Sequence, residues 1–291
     1  FAAHAENEIR ELADLMQIPV ITTMMGISVF PDDDQLFCGM IGTHGVKMAN
    51  AAVNECDVLF LVGARVGDRA VKTPLALEKT TKIIHIDIDP AEIGKNIGAD
   101  LPLVGDAKLV LQQMTELAKP MKHDEWIAHI KTLGGERKYV EPAKGTVNPR
   151  VFIDRLAKKM PANVTVVADV GQNQIWTCTE YKFRKEGRLL TSGGMGTMGY
   201  SVPAAIGAKM ADNSRATVAI CGDGAFQMSF MELATAVQFG VDIKVVVMTN
   251  NRLGMVRELQ TNGYHDRQTA VFLDGSPDFI KLAEAYGIPA M

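Results

Sequence analysis

Residues 222–251 read GDGAFQMSFMELATAVQFGVDIKVVVMTNN, and this stretch decides the fold. An apolar run (216–221) leads into Gly222-Asp223-Gly224, and a second (243–248) delivers Asn250 and Asn251 at its end. Short apolar runs on either side of a helical pattern read as buried parallel strands joined by a helical crossover. A strand–helix–strand unit of this kind sets Asp223 and Asn250 side by side at the carboxyl ends of neighbouring strands, where open α/β sheets bind ligands. A carboxylate, an amide oxygen and a main-chain carbonyl make a hard oxygen site, suited to Mg²⁺ that also holds phosphate oxygens. Each residue also has an ordinary structural role: Asp223 as a helix cap, Asn250 as a turn residue. Those roles account for either residue alone but not for the pair.

Outward from this stretch, strand candidates alternate with helical patterns along the whole chain, which predicts an α/β protein with two doubly wound parallel-sheet domains. Strands are expected over 19–23, 58–62, 82–87 and 101–104, then over 164–168, 188–191, 217–221 and 243–248. Helices are expected over 4–17, 44–54 and 107–118, and Asn148-Pro149 is a helix-start signal. Three segments follow: a first domain over 1–120, a linker over 121–147 with one amphipathic stretch around Trp126, and a second domain over 148–291. A chain of 291 residues exceeds what one core usually serves.

Composition narrows the function classes. Hydrophobic residues at 47% and charged ones at 22% describe a globular protein. The net charge of −4, without a basic block, argues against nucleic acid or anionic membranes as partners. No apolar run approaches the roughly 20 residues of a membrane span. The four cysteines show no C-x-x-C spacing and lie in or beside apolar runs, as expected of reduced, buried thiols in a cytoplasmic protein.

The GDG turn, the spacer and the terminal Asn pair resemble the thiamine diphosphate motif. The flanking segments DVGQNQIW (169–176), TSGGMGTMGY (191–200), PAAIG (203–207) and NNRLGMV (250–256) resemble the acetolactate (acetohydroxyacid) synthase catalytic subunit. So do GMIGTHG (39–45), GAR (63–65) and IHIDIDP (84–90), which resemble that enzyme's FAD-type middle domain. The resemblance covers nearly the whole chain. It implies a thiamine diphosphate-dependent enzyme that decarboxylates pyruvate and joins the two-carbon unit to a second 2-oxo acid, for branched-chain amino acid synthesis. Another thiamine-dependent 2-oxo acid carboligase, similar to glyoxylate carboligase, and a cofactor-binding module without catalysis stay open as alternatives.

The resemblance also assigns residues. Asp223, Asn250 and the Arg252 carbonyl are the implied Mg²⁺ ligands. Val170, Gly171, Gln172, Asn173, Gly222, Gly224, Ala225, Leu253 and Gly254 are implied around the cofactor, Asn173 standing where the family usually has His. The Gly196 carbonyl is implied to accept the cofactor's amino group, and Met198 to pack beneath the bent cofactor. Met228 and Met255 are implied to line the thiazolium and substrate side. Leu259 stands where these synthases usually carry Trp, which puts their preference for 2-oxobutyrate in doubt. Gly63, Ala64, Arg65, Asp87 and Asp106 match positions that hold FAD, while Gly67 departs from the usual acidic residue. His85 reads as a satisfied core histidine. Both ends of the chain read as cut. The glutamate that activates the cofactor is expected in a preceding domain, because neither Glu232 nor Glu258 stands at its motif position. A homodimer or tetramer and a small regulatory subunit are the implied partners.

Overall fold

The computed structural model describes residues 2–135 and 139–291, which form two compact units divided after Lys138. The first unit holds α1 (Glu6–Met16), β1 (Val20–Thr22), β2 (Phe37–Met40), α2 (Lys47–Glu55), β3 (Val58–Val62), α3 (Pro74–Leu77), β4 (Lys82–Asp87), β5 (Leu101–Val104), α4 (Ala107–Leu117) and α5 (Asp124–Leu133). Its strands are parallel and pair as two sheets, β1-β2 and β3-β4-β5. The central strand β4 reads KIIHID because helices cover it on both faces. On one face Ile83 packs with Val53 of α2 and Leu61 of β3. On the other, Ile86 packs with Leu12 of α1 and Leu111 of α4. Ile21 of β1 and Leu59 of β3 both lean on the Val53 cluster, so a shared apolar layer serves the two sheets.

Two features of this unit depart from the sequence reading. Phe37–Met40 is a strand, although the pattern gives only a glycine-rich segment there. The amphipathic stretch expected in the linker is α5, whose Ile130 is buried with Cys38 and Ala52 of the first unit. Trp126 and Ile130, one helical turn apart, give α5 an apolar face, and burying that face outweighs the charge and glycine around it. Residues 136–138 of the expected linker lie outside the described residues.

The second unit holds α6 (Pro149–Lys159), β6 (Thr165–Ala168), α7 (Gln172–Glu180), β7 (Arg188–Thr191), α8 (Ser201–Ala211), β8 (Thr217–Gly222), α9 (Asp223–Phe226), α10 (Leu233–Gln238), β9 (Lys244–Met248), α11 (Gly254–Gly263) and α12 (Phe279–Ala285). The Asn148 side chain accepts from the Arg150 and Val151 amides to cap α6, with Pro149 in the first turn. Four parallel strands lie in the order β7-β6-β8-β9. The two inner strands are buried along almost their whole length, which explains their unbroken apolar sequences. From β6 the chain steps outward to β7, then returns to β8 on the other side of β6. That reversal opens a crevice at the carboxyl ends of β6 and β8, the usual ligand position in such sheets.

All four cysteines are free; Cys38, Cys178 and Cys221 are buried and Cys56 is half-buried. Burial pushes the Cys178 thiol up to about 12 and the Cys38 thiol to about 11, so both are neutral packing groups. Among the described residues no helix is long and apolar enough to cross a membrane.

Candidate functional site

The crevice is built around Asp223, which follows β8 and is 1% exposed. Its Oδ1 accepts from the Gly224 amide at 2.8 Å. Its Oδ2 accepts from the Asn250 amide at 3.0 Å and the Asn251 amide at 2.6 Å. One carboxylate therefore ties the end of β9 to the end of β8. The turn beyond β9 closes on itself: Asn250 Oδ1 accepts from the Arg252 amide at 2.9 Å, and Asn251 sits in the left-handed region at φ 54°. Asn250 thus makes a side-chain turn of its own, whereas Asp223 does not cap α9, where Gly222 holds the cap position without a side-chain bond. No Lys, Arg or His among the described residues forms an ion pair with Asp223. A buried carboxylate without a counter-cation is costly, so the site's electrostatics favour a bound cation. Among the described residues no three His, Cys, Asp or Glu cluster as a ready-made metal cage. An ion here would rely on few protein oxygens and share its shell with a ligand, the usual habit of Mg²⁺ beside phosphates. The residues present fit that ion.

Around Asp223 the crevice is lined by Val170, Gly171 and Gln172 from the end of β6, and by Gly222, Gly224 and Ala225 from the end of β8. Beyond β9 the lining is Asn250, Arg252, Leu253, Gly254 and Met255. Helices α7 and α11 start at this rim, and their free amides and dipoles favour an anion. A side chain at either of two glycines here would force a neighbouring side chain to shift. A methyl group on Gly224 would lie 2.8 Å from Leu253 Cδ2, and one on Gly254 would lie 2.2 Å from Gln172 Oε1.

Of the expected residues, Asn173 lines the crevice, whereas Gly196 and Met228 lie outside its lining. Asn173 is buried, and its Nδ2 donates to the Asp169 carbonyl at 2.8 Å and the Ile220 carbonyl at 3.1 Å. Both of its amide hydrogens thus tie the residue that follows β6 to Ile220 within β8. Met198 lines the crevice, but Gly196 does not: it sits in the exposed loop 193–199 at φ 69°. Met228 is 56% exposed and lies against Gly199 rather than in the crevice lining.

The sequence reading gives no role to Asp169 and misses Trp176. Trp176 is a further lining residue, on the first turns of α7. Asp169 follows β6 and is fully buried. Its Oδ1 accepts from the Val170 and Gly199 amides at 2.8 and 3.0 Å, and its Oδ2 from the Ser201 amide at 2.8 Å. It fixes the end of the glycine-rich loop and faces the start of α8. An acid directly after a fully apolar strand must be compensated inside the fold, which is the one sequence signal for it.

In the first unit, Gly63, Asp87 and Asp106 gather at the carboxyl ends of β3, β4 and β5. Gly63 takes φ 57° and donates its amide to the Ile86 carbonyl. Ala64 and Arg65 follow, with the Arg65 carbonyl accepting from Asn96 Nδ2 at 2.7 Å. The Asp87 carboxylate accepts from the Asp89 amide, and the Asp106 carboxylate caps α4. Both acids therefore already serve local turns. His85 is a core residue, but it is not a satisfied one: neither ring nitrogen has a hydrogen-bond partner among the described residues.

A buried acid, an Asn turn and two helix starts around one crevice define the class: a doubly wound α/β domain with a ligand crevice at the carboxyl ends of its inner strands. Comparison with known proteins then gives the family. Residues 169–291 match the thiamine pyrophosphate enzyme C-terminal TPP binding domain, and residues 2–114 match the thiamine pyrophosphate enzyme central domain. A probable acetolactate synthase large subunit of Methanocaldococcus jannaschii is 42% identical over 98% of this chain and 50% of its own length. The acetolactate synthase large subunit of Lactococcus lactis is 38% identical over 96% of this chain and 49% of its own. That of Corynebacterium glutamicum is 39% identical over 99% of this chain and 48% of its own. The chain belongs to the thiamine pyrophosphate enzymes, is similar to acetolactate synthase large subunits, and spans about half the length of the curated relatives it matches.

Proposed function

We propose that the crevice holds the diphosphate of thiamine diphosphate through Mg²⁺, and that the whole protein condenses pyruvate with a second 2-oxo acid to form acetolactate. The observation that carries this reading is the buried Asp223 carboxylate, without an ion-pair partner among the described residues and pinned to the Asn250 turn. Asp223, Asn250 and the Arg252 carbonyl would hold the ion. Gly222, Gly224 and Ala225 let the main chain approach the diphosphate, while Val170, Gly171, Gln172, Leu253 and Gly254 present helix starts to it. Met198 and Met255 would support the cofactor from the crevice wall, with the Gly196 carbonyl and Met228 beyond that lining. When bound, thiamine diphosphate supplies the carbanion chemistry, and the chain supplies orientation and electrostatics. Calorimetric titration of the 291-residue chain with thiamine diphosphate tests the reading. Binding should require Mg²⁺, and binding indifferent to Mg²⁺ would refute it. Acetolactate formation, measured on a protein of the relatives' full length, tests the reaction.

FAD at Gly63, Ala64, Arg65, Asp87 and Asp106, a homodimer or tetramer, a small regulatory subunit and a cytoplasmic location belong to the same proposal. The absorption spectrum of the purified protein reports directly on FAD.

Acceptor choice rests on Leu259, which is 57% exposed on α11. Leucine offers no broad aromatic wall, and one methylene in an apolar pocket is worth only about 1–3 kcal/mol even where a wall exists. The whole enzyme should therefore discriminate weakly between pyruvate and 2-oxobutyrate. A competition assay with both acids checks this, and a strong 2-oxobutyrate preference would refute it.

A further inference from the structure

We propose that residues 271–276 form a strap that sets the position of the metal turn through Arg252, with Phe272 and Asp274 as positioning residues. The inference rests on the reading of the crevice as a Mg²⁺–diphosphate site.

A ligand that is a main-chain carbonyl owes nothing to its own side-chain chemistry, so its position depends on what holds the backbone on either side. At Arg252 that hold is specific. The Leu253 amide donates to the Val271 carbonyl at 2.9 Å, and the Leu273 amide donates to the Asn251 carbonyl at 3.0 Å. These bonds flank an antiparallel bridge between Arg252 and Phe272. The Arg252 guanidinium lies over the Phe272 ring, 4.4 Å from its centroid. Its Nη1 donates to Asp274 Oδ1 at 3.1 Å and to the Asn251 carbonyl at 2.7 Å. The side chain of a backbone ligand thus becomes a handle, held between an aromatic face and a carboxylate.

The strap reaches the other arm of the site as well. Gln227 Nε2, just after α9, donates to Ser276 Oγ at 3.1 Å and to the Asp223 carbonyl at 3.3 Å. Leu273 Cδ1 lies 3.2 Å from where a Gly224 methyl group would stand. Val271 is fully buried and anchors the strap. No residue of 271–276 lines the crevice, so the strap acts through Arg252 and Gln227 rather than by touching the ligand. Of the two grips on Arg252, Phe272 should be the stronger. Asp274 is largely exposed, and exposed ion pairs contribute little, whereas the guanidinium over the half-exposed Phe272 ring is mostly shielded from water.

The test is a Mg²⁺ titration of the 291-residue chain at fixed thiamine diphosphate, read by calorimetry. Phe272→Ala should raise the Mg²⁺ midpoint about tenfold, the scale of outer contacts to metal ligands, and Asp274→Asn by less. Phe272→Trp keeps a π face and should restore the midpoint, while the metal-free melting temperatures stay level. Unchanged midpoints in both Phe272→Ala and Asp274→Asn would overturn the strap, as would a Phe272→Trp variant that loses as much as alanine. Asp223→Ala separates the two ideas. If it abolishes Mg²⁺-dependent binding while the strap variants match the wild type, only the strap fails. A wild-type chain that binds without Mg²⁺ removes the site reading and the strap's role together.

Discussion

Asp223→Ala should abolish Mg²⁺-dependent binding of thiamine diphosphate to this chain, lowering affinity by on the order of 100-fold or more, with the loss of an anionic hard ligand at the anchor. Two losses coincide in that substitution. The site loses its buried negative charge, and the Gly224, Asn250 and Asn251 amides lose their shared acceptor. An unsatisfied buried amide costs about 1–3 kcal/mol, so the Asn250 turn should also loosen. Asp223→Asn is the sharper probe. It keeps the shape and one acceptor oxygen, but turns an NH₂ group toward amides that need an acceptor. It should bind the cofactor scarcely better than the alanine variant. Calorimetry settles the matter: cofactor affinity unchanged in Asp223→Ala would sink the assignment of the metal site.

Asp169→Ala is expected to have the largest effect on stability. The carboxylate is fully buried and serves the Val170, Gly199 and Ser201 amides. Removing it leaves three amides to find water or distort. At about 1–3 kcal/mol each, with partial relaxation, the second unit should lose about 3 kcal/mol or more. The loss is local in its consequences. Gly199 ends the glycine-rich loop and Ser201 opens α8, so the loop that carries Gly196 and Met198 should detach from the end of β6. Denaturant unfolding gives the stability change, and amide hydrogen exchange at Gly199 and Ser201 gives the local one. Stability within about 0.5 kcal/mol of wild type would show that the fold does not depend on this acid.

The architecture was largely legible from sequence because buried parallel strands need unbroken apolar runs, and those runs leave little ambiguity. The expected strands over 58–62, 82–87, 101–104 and 188–191 coincide with Val58–Val62, Lys82–Asp87, Leu101–Val104 and Arg188–Thr191. Phe37–Met40 escaped because Gly39 interrupts its short apolar pattern. Helix α5 was read as linker because its surroundings are charged. Only the face it buries against α2 makes it part of a core.

The site divides along the same line. The Asp223/Asn250 pair could be read directly, because its meaning lies in residue type and in order along strands. Asp169, Asn173 and the 271–276 strap could not be read that way. Their work depends on neighbours that only folding supplies, main-chain amides and carbonyls for Asp169 and Asn173 and the Arg252 side chain for the strap. The sequence by itself determined the alternating strands and helices, and the acid and amide that meet at their ends. The tertiary structure alone decided which buried polar groups face the crevice and which are consumed in holding it together, because each carboxylate or amide spends its lone pairs and hydrogens on the neighbours that folding brings within reach.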